Sequence, residues 1–130
     1  MHELVIQTHR REELLDMTAM VQKIVGDAGV ENGLAVIFSP HTTLAVTVNE
    51  NTDQAVRHDI LTHLASLVPQ SPTFRHQENN SDSHIKVSLV GPSVTLIVSD
   101  GDIQLGTWQA IYACEFDGPR TRRVWVQLVG

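Results

Sequence analysis

The sequence predicts a single-domain α+β protein spanning residues 1–130, in which two helices pack on a largely antiparallel mixed sheet that curls into a sandwich or barrel. Three observations lead to this prediction. The length of 130 residues is typical of one domain, and no linker, repeat or low-complexity tract divides the chain. Hydrophobic residues make up 42% of the chain, which is enough for a core. Two segments carry apolar residues at helical spacing, whereas about seven others read as strands.

The two predicted helices lie in the first half of the chain. Thr18 suits an N-cap, because the residues that follow it are apolar at helical spacing, and glycines near residues 26–29 suit the end of that helix. Residues 53–68 give the clearer helical pattern. Its expected buried stripe consists of Val56, Ile60, Leu64 and Leu67, with Leu61 and Val68 beside it.

Strand patterns account for most of the remaining chain. The run at residues 33–38 is apolar throughout, which predicts a strand buried on both faces. Pro40 then interrupts it, so His41 should lie at or just beyond a strand end. A turn is predicted around Asp100-Gly101. The predicted strands are residues 3–8, the short and ambiguous 13–17, 33–38, 42–48, 85–90, 93–98, 106–116 and 122–129.

Composition and charge narrow the classes of function. The net charge is −6, with fifteen acidic residues against nine basic ones, which argues against a nucleic-acid binder. The single cysteine, Cys114, lies in an apolar strand and is expected to be buried and inert, and one thiol favours a reducing compartment. The first residues lack the basic and long apolar regions expected of a signal peptide, and no run approaches the about 20 apolar residues expected of a membrane span. We therefore expect a soluble cytoplasmic protein that does not interact with membranes.

A polar segment at residues 74–84 is the strongest indication of a functional site. It contains His76 and His84 among acids, amides and hydroxyls, and we expect it to meet the Pro40-His41 strand end. Three imidazoles suit a divalent metal such as zinc, so the sequence predicts a site of His41, His76 and His84. The alternative is that these histidines lie separately on surface loops.

Carboxylates form a second group of candidates. Glu50 follows the strand beyond His41, and Glu78 and Asn79 lie in the polar segment, where they could orient the histidine rings. Asp59 falls near the edge of the buried face of the second helix, where burial or a partner would shift its pKa, although a solvated acid is equally compatible. Such oxygens would also suit magnesium, which commonly bridges to a substrate phosphate.

Two further motifs suggest contacts to a phosphorylated small molecule. Arg120 and Arg122 follow a Gly-Pro turn in an otherwise acidic protein, and guanidinium groups bind phosphate bidentately. The alternative is a solubilising hairpin tip. Trp108 and Gln109 follow Gly106, and the indole offers a stacking face for a heteroaromatic ring, unless it belongs to the core.

Several of these motifs, in this order along nearly the whole chain, resemble the YjbQ family, whose members are named as secondary thiamine-phosphate synthases. The matching stretches are 41–50 (HTTLAVTVNE), 76–79 (HQEN) with His84, Gly91, 101–109 (GDIQLGTWQ) and 115–120 (EFDGPR). The resemblance implies a small α+β fold assembled as a homotrimer, with a polar site near the subunit junction. It also implies a role for the three histidines around a metal or an anion.

The function that this resemblance implies is the joining of an aminopyrimidine methyl diphosphate to a thiazole phosphate, with release of diphosphate. In that hypothesis Glu50, Asp59 and Glu78 are the acids or bases. Two alternatives remain open from the residues: a metal-dependent hydrolase of a small phosphorylated or carbonyl compound, and a non-catalytic trimer that binds a metal or metabolite. Contacts to the substrate would come from Asn79, Trp108, Gln109, Arg120 and Arg122.

Overall fold

Eight strands and three helices make up the fold, and the computed structural model describes all of residues 1–130. The predicted α+β class is confirmed, with one helix more than expected. None of the helices has both the length and the apolar character needed to span a membrane. The strands are β1 (His2–Gln7), β2 (Glu13–Asp16), β3 (Gly33–Phe38), β4 (Leu44–Glu50), β5 (Ser93–Ser99), β6 (Asp102–Ile103), β7 (Gln109–Glu115) and β8 (Thr121–Val129), and the helices are α1 (Thr18–Ala28), α2 (Gln54–Leu67) and α3 (Ser81–Val90).

The strands form two sheets, and every pairing within them is antiparallel. The larger sheet has the order β1-β8-β3-β5-β6, and the smaller sheet has the order β2-β7-β4. The two sheets curl around a main core of 13 buried residues, to which both sheets and α1 contribute. A second cluster of six buried residues lies on the other face of the smaller sheet, beneath α2 and α3.

This layering decides which strand is buried on both faces. The smaller sheet is covered on both sides, so β7 and the residue after it are continuously buried from Ala110 to Phe116, including the free thiol of Cys114. Burial raises the pKa of Cys114 to about 12, as expected for an inert thiol. The prediction that β3 is buried on both faces is wrong, because the larger sheet is covered on one face only. Leu34 and Phe38 are 43% and 38% exposed.

The first two helices lie close to their predicted positions. Helix α1 ends at Gly29, which has the left-handed φ of 71° that favours glycine. Thr18 does not cap α1 as predicted; its hydroxyl accepts a hydrogen bond from the Ile111 N–H at 2.9 Å instead. Asp53 caps α2 by accepting from the Ala55 N–H at 2.9 Å. The predicted apolar stripe of α2 is only partly covered, since no residue of that helix is fully buried and Leu67 is 61% exposed.

The third helix is the main departure from the sequence-based prediction. Residues 85–90 were expected to form a strand after a polar loop, but α3 begins at Ser81 and includes them. Its buried positions are Asp82, Ser83, Lys86 and Val87, which share one helical face although three of them are polar. The apolar Leu89 is 58% exposed. Hydrophobic periodicity gives no helix signal when the buried face is polar and the exposed face is apolar.

Candidate functional site

A cleft of about 390 Å³ lies between the segment that follows β3 and the outer side of α3. Residues 38–42 form one wall, and His84 and Ser88 of α3 contribute to the other. His41 and His84, which are far apart in sequence, therefore line one concave surface. None of the nine residues around the cleft is acidic, and its polar groups are hydroxyls and imidazoles.

His41 reaches the cleft because β3 ends early. The pairing of β3 with β8 stops at Phe38 and Trp125, and Pro40 follows within two residues. The next outward N–H group of β8, that of Arg123, donates instead to the Nε2 atom of His41 at 3.0 Å. The backbone of His41 is held as well, because its N–H donates to the Ser39 hydroxyl at 3.2 Å. The imidazole thus accepts the hydrogen bond that a backbone carbonyl of β3 would accept if that strand continued.

The surroundings of His41 favour its neutral form. Partial burial, and then the nearby Arg122 guanidinium, lower the pKa of His41 below its ordinary value of about 6.5, although Glu115 acts in the opposite direction. A protonated ring would also place an N–H group against the N–H group of Arg123. Both the lowered pKa and this contact therefore favour the neutral imidazole.

His76 packs against His84, which lines the cleft. Their ring centroids are 5.4 Å apart, with the rings nearly perpendicular. The Nε2 atom of His76 lies 3.7 Å from a carboxylate oxygen of Glu78, and both side chains are substantially exposed. His84 is therefore common to both halves of the predicted site: it touches His76 and shares the cleft with His41.

These three histidines do not fit a three-histidine metal centre in the arrangement described. No group of three or more His, Cys, Asp or Glu side chains in the chain is placed so that it could hold a metal ion. The Nε2 lone pair of His41 is also already used by the Arg123 N–H.

A buried ion pair lies behind His41. Arg122 is 3% exposed and Glu115 is fully buried, and the guanidinium donates to both carboxylate oxygens, at 2.5 and 2.8 Å. Arg122 also donates to the Thr43 hydroxyl at 2.7 Å, and the Thr8 hydroxyl donates to Glu115 at 2.9 Å. The guanidinium predicted to bind phosphate thus has internal partners and is shielded from solvent.

Arg120 is the arginine of this turn that faces solvent near the cleft. Its guanidinium donates to the Asp117 carboxylate at 2.9 Å and to the Asp117 carbonyl at 2.7 Å, and its side chain is 53% exposed. Its positive charge is close enough to act on the pKa of His41. Asn80 donates to the same Asp117 carboxylate at 2.8 Å, which ties the turn to the start of α3.

A second buried charge network anchors α3. The Lys86 ammonium donates to Asp82 at 3.1 Å and to Glu12 at 2.9 Å, and Lys86 and Asp82 are each 1% exposed. Arg11 donates to both oxygens of Asp82, at 3.1 and 3.2 Å. This network joins the segment before β2 to the buried face of α3, so it positions His84 on the opposite side of the helix.

The acid stability of the protein should depend on Asp82. Burial alone would raise the pKa of this carboxyl, but hydrogen bonds from Arg11 and Lys86 together outweigh burial and lower it. Its stabilising contribution is therefore present above the unfolded pKa of about 3.9 and is lost as pH falls through the lower, folded pKa. We expect Asp82→Asn to destabilise the protein by about 2 kcal/mol at pH 7.

The difference in the free energy of unfolding between wild type and Asp82→Asn should become smaller below about pH 4, because the wild-type Asp82 carboxylate becomes protonated. Urea unfolding at a series of pH values measures both curves. Asp27→Asn is a suitable control, because Asp27 is 70% exposed in its ion pair with Lys23. A gap between the wild-type and Asp82→Asn curves that stays constant down to pH 2.5 would contradict the role of the ionised carboxyl.

Several predicted site residues lie elsewhere in the chain. Glu50 and Gln109 pair at the end of β4 opposite the cleft, about 20 Å from Leu44 if each of six steps advances about 3.3 Å. Trp108 adjoins them and is 60% exposed, so it is not part of the core. Asp59 is exposed on α2, which corrects its placement at the buried edge. A single chain does not bring these residues to the cleft.

Three predicted site residues, Gln109, Glu50 and Asn79, have local structural partners. The Gln109 amide oxygen accepts from the Gly106 N–H at 2.7 Å, and a Glu50 carboxylate oxygen accepts from the Thr52 N–H at 3.2 Å. Asn79 has a left-handed φ of 61°, and its carbonyl accepts from Gln70 at 3.2 Å. Each of these three residues therefore contributes to a turn in the single chain.

Sequence reasoning missed the residues that support the cleft. Glu115, Thr43, Lys86 and Arg11 hold the elements that carry the histidines. Thr43 and Glu115 fall in stretches that carry the family resemblance but have no predicted role, and Lys86 and Arg11 belong to no motif. One signal was available: Lys86 and Glu115 are charged residues within otherwise apolar segments, and such charges are normally paired when buried. Thr42, which lines the cleft, falls in the 41–50 stretch that carries the family resemblance, whereas Ser88, which also lines it, carries no distinguishing pattern.

Comparison with known proteins places the chain among close relatives. A family model described as UPF0047 protein YjbQ-like matches residues 2–130. The UPF0047 protein MJ1081 of Methanocaldococcus jannaschii is 50% identical over 125 residues, covering 96% of this chain and 91% of the relative. The UPF0047 protein YugU of Bacillus subtilis is 43% identical over 128 residues, covering 98% and 97%.

Solved structures agree with this placement. A crystal structure of a YjbQ/UPF0047 family protein from Clostridium acetobutylicum superposes with a TM-score of 0.97 at 44% identity, covering 99% of this chain and 100% of that one. A YbjQ-like protein of unknown function from Sulfolobus solfataricus superposes with a TM-score of 0.95 at 32% identity, covering 99% and 95%. The fold and the order of motifs, together with these matches, show that the chain belongs to the YjbQ/UPF0047 family.

Proposed function

We propose that the cleft binds a small phosphorylated metabolite and that the protein is a thiamine-phosphate synthase-like enzyme. The reaction would join an aminopyrimidine methyl diphosphate to a thiazole phosphate and release diphosphate. The observation that carries the proposal is the convergence of His41 and His84 on one cleft, with His76 packed against His84.

The chemical character of the cleft supports a phosphorylated ligand. Its polar lining consists of hydroxyl and imidazole groups without a carboxylate, so nothing in the lining repels an anion. The exposed Arg120 guanidinium is the nearby cation that could join it. The volume of about 390 Å³ falls within the range of about 300–1,000 Å³ usual for small-molecule sites.

The proposed reaction needs stabilisation of the departing diphosphate more than it needs a nucleophile from the protein. As the bond to the pyrimidine methyl carbon breaks, negative charge grows on the diphosphate oxygens, and preorganised donors around those oxygens lower the barrier. His76 and His84 would donate to them, and Glu78 would orient the His76 ring. Magnesium would enter with the diphosphate substrate, because it commonly bridges phosphate oxygens.

Steady-state turnover with both substrates and Mg²⁺ tests this proposal. Replacing His76 and His84 together with alanine should lower kcat/KM by at least about 100-fold, the size of effect expected from removing positioned donors. His9→Ala is the matched control, because the His9 side chain is 71% exposed and lies 3.7 Å from Glu13, away from the cleft lining. Unchanged turnover in the double variant would contradict the proposed roles of His76 and His84. If the wild-type protein binds the substrates but does not turn them over, the result would favour a non-catalytic metabolite binder.

We also propose, from the family resemblance, that the protein is a homotrimer. The outer face of the larger sheet supports assembly, since Val5, Leu34, Ile97 and Val129 are between 43% and 60% exposed there. Phe38 lies on this face and also lines the cleft, so a neighbouring copy would approach the site. Sedimentation equilibrium should give three times the chain mass of 14.4 kDa, and a species of 14.4 kDa would contradict the proposal.

A further inference from the structure

We infer that His41 is a fixed hydrogen-bond donor for an oxyanion, carrying its proton on Nδ1, and is not a metal ligand. The inference concerns the tautomer of one residue and the class of ligand atom that it contacts. The tautomer follows from contacts within the protein, whereas the oxyanion partner rests on the proposed function of the cleft.

The position of the proton follows from the contact with β8. A neutral imidazole has one N–H donor and one nitrogen with a free lone pair. The Arg123 N–H donates to Nε2 of His41 at 3.0 Å, so Nε2 provides the lone pair. The remaining nitrogen, Nδ1, must then carry the hydrogen. The hydrogen bond made by one ring nitrogen sets the state of the other.

The alternative ring orientation is disfavoured by the same contact. Turning the imidazole over would place a ring carbon opposite the Arg123 N–H and leave that donor without its acceptor. The backbone of His41 also has little freedom, because its N–H donates to the Ser39 hydroxyl at 3.2 Å and its carbonyl accepts from the same hydroxyl at 3.4 Å. Ring and backbone are therefore both held in place.

This arrangement is incompatible with metal ligation by His41. A metal ion needs a nitrogen lone pair, and the one on Nε2 is engaged while Nδ1 carries a hydrogen. Ligation would require either loss of the Arg123 contact or loss of the remaining ring proton. The lowered pKa of His41 agrees with the neutral ring but is not needed for this conclusion.

The rest of the cleft lining identifies the ligand class. An N–H donor has an oxygen atom as its natural partner, whereas a divalent cation is usually held by carboxylates or by unprotonated imidazole nitrogens. No carboxylate lines the cleft, while Thr42 and His84 add further groups able to donate. A phosphate or diphosphate oxygen therefore fits this set better than a cation does.

Nuclear magnetic resonance of the imidazole nitrogens tests the inference directly. In protein labelled with ¹⁵N-histidine, long-range ¹H–¹⁵N spectra distinguish a protonated ring nitrogen from an unprotonated one, and the His41→Gln variant identifies the His41 signals. At neutral pH we expect a protonated Nδ1 and an unprotonated Nε2. His9, whose side chain is 71% exposed, serves as the solvent-exposed reference.

Two additions then separate the ligand classes. Inorganic phosphate should shift the Nδ1 signal of His41, and Zn²⁺ without phosphate should leave both of its nitrogens unchanged. A protonated Nε2, or a Zn²⁺-induced change at either nitrogen, would overturn the assignment. The assigned tautomer without any response to phosphate would overturn the oxyanion partner alone. Absence of turnover with a phosphate-responsive His41 would instead reject the proposed reaction and leave this inference standing.

Discussion

Replacing Arg122 with methionine is expected to lower the free energy of unfolding by about 3–5 kcal/mol, as is usual when one partner of a buried ion pair is removed. The variant would leave the fully buried Glu115 carboxylate without its guanidinium, with only the Thr8 hydroxyl and the Asp117 N–H still donating to it. Urea unfolding followed by circular dichroism measures the loss.

Two further variants show whether the loss comes from an unpaired charge. Removing both charges, as in Glu115→Leu with Arg122→Met, should recover much of the stability, because apolar pairs often replace buried ion pairs at little cost. Arg123→Met is the surface control and should have little effect, since the side chain of Arg123 is 54% exposed and its backbone contact to His41 remains. An Arg122→Met midpoint equal to that of wild type would contradict the structural role assigned to this pair.

The second large effect is expected from Gly118→Ala, which should destabilise the protein by about 3 kcal/mol, the upper end for overpacking. A Cβ atom at Gly118 would lie 2.3 Å from the Arg10 carbonyl oxygen and 2.8 Å from both Glu115 Cγ and Thr8 Oγ1. Neither the Arg10 backbone nor the buried carboxylate can give way freely. The substitution would therefore displace the turn that carries Arg120 and disturb the Glu115–Arg122 pair. Thermal and urea unfolding report the change.

Gly26→Ala is the matched control for this substitution. Gly26 lies inside α1, and a Cβ atom there would meet nothing within 4 Å. We expect this variant to be more stable than wild type by about 0.5–1 kcal/mol, because alanine loses less conformational freedom in a helix than glycine. Equal stability of the Gly118→Ala and Gly26→Ala proteins would show that the Arg10 backbone and the Glu115 side chain can move to accommodate a Cβ atom at Gly118.

Where side-chain burial follows apolar character, the sequence predicted structure well. Apolar and β-branched runs located β5 and β8, helical spacing located α1 and α2, and Pro40 correctly placed His41 beyond a strand end. Where burial follows charge pairing, the same reasoning failed. Helix α3 buries Asp82 and Lys86 and exposes Leu89, so its apolar residues suggested a strand.

The candidate site was likewise predicted only in part from the sequence. The sequence indicated that the His41 segment and the segment holding His76 and His84 would meet. His41 and His84 line the same cleft, and His76 packs against His84. The sequence did not indicate that the Arg122 side chain would face the protein interior. That orientation depends on which face of β8 meets the core, and an arginine at an alternating position is compatible with either face until a buried partner is known.

From the sequence alone came the α+β class, most element positions, the buried thiol of Cys114 and the residue types that could bind a phosphorylated ligand. Only the tertiary structure decided which charges are buried, which nitrogen of His41 is free and which candidate residues share a cleft. The physical reason is that apolar burial is a property of each segment and repeats along it, whereas ion pairs and hydrogen bonds join atoms that are distant in sequence. Glu115 contacts Arg122 and Thr8, and His41 accepts the hydrogen bond from the Arg123 N–H, only when the sheets have closed around the core.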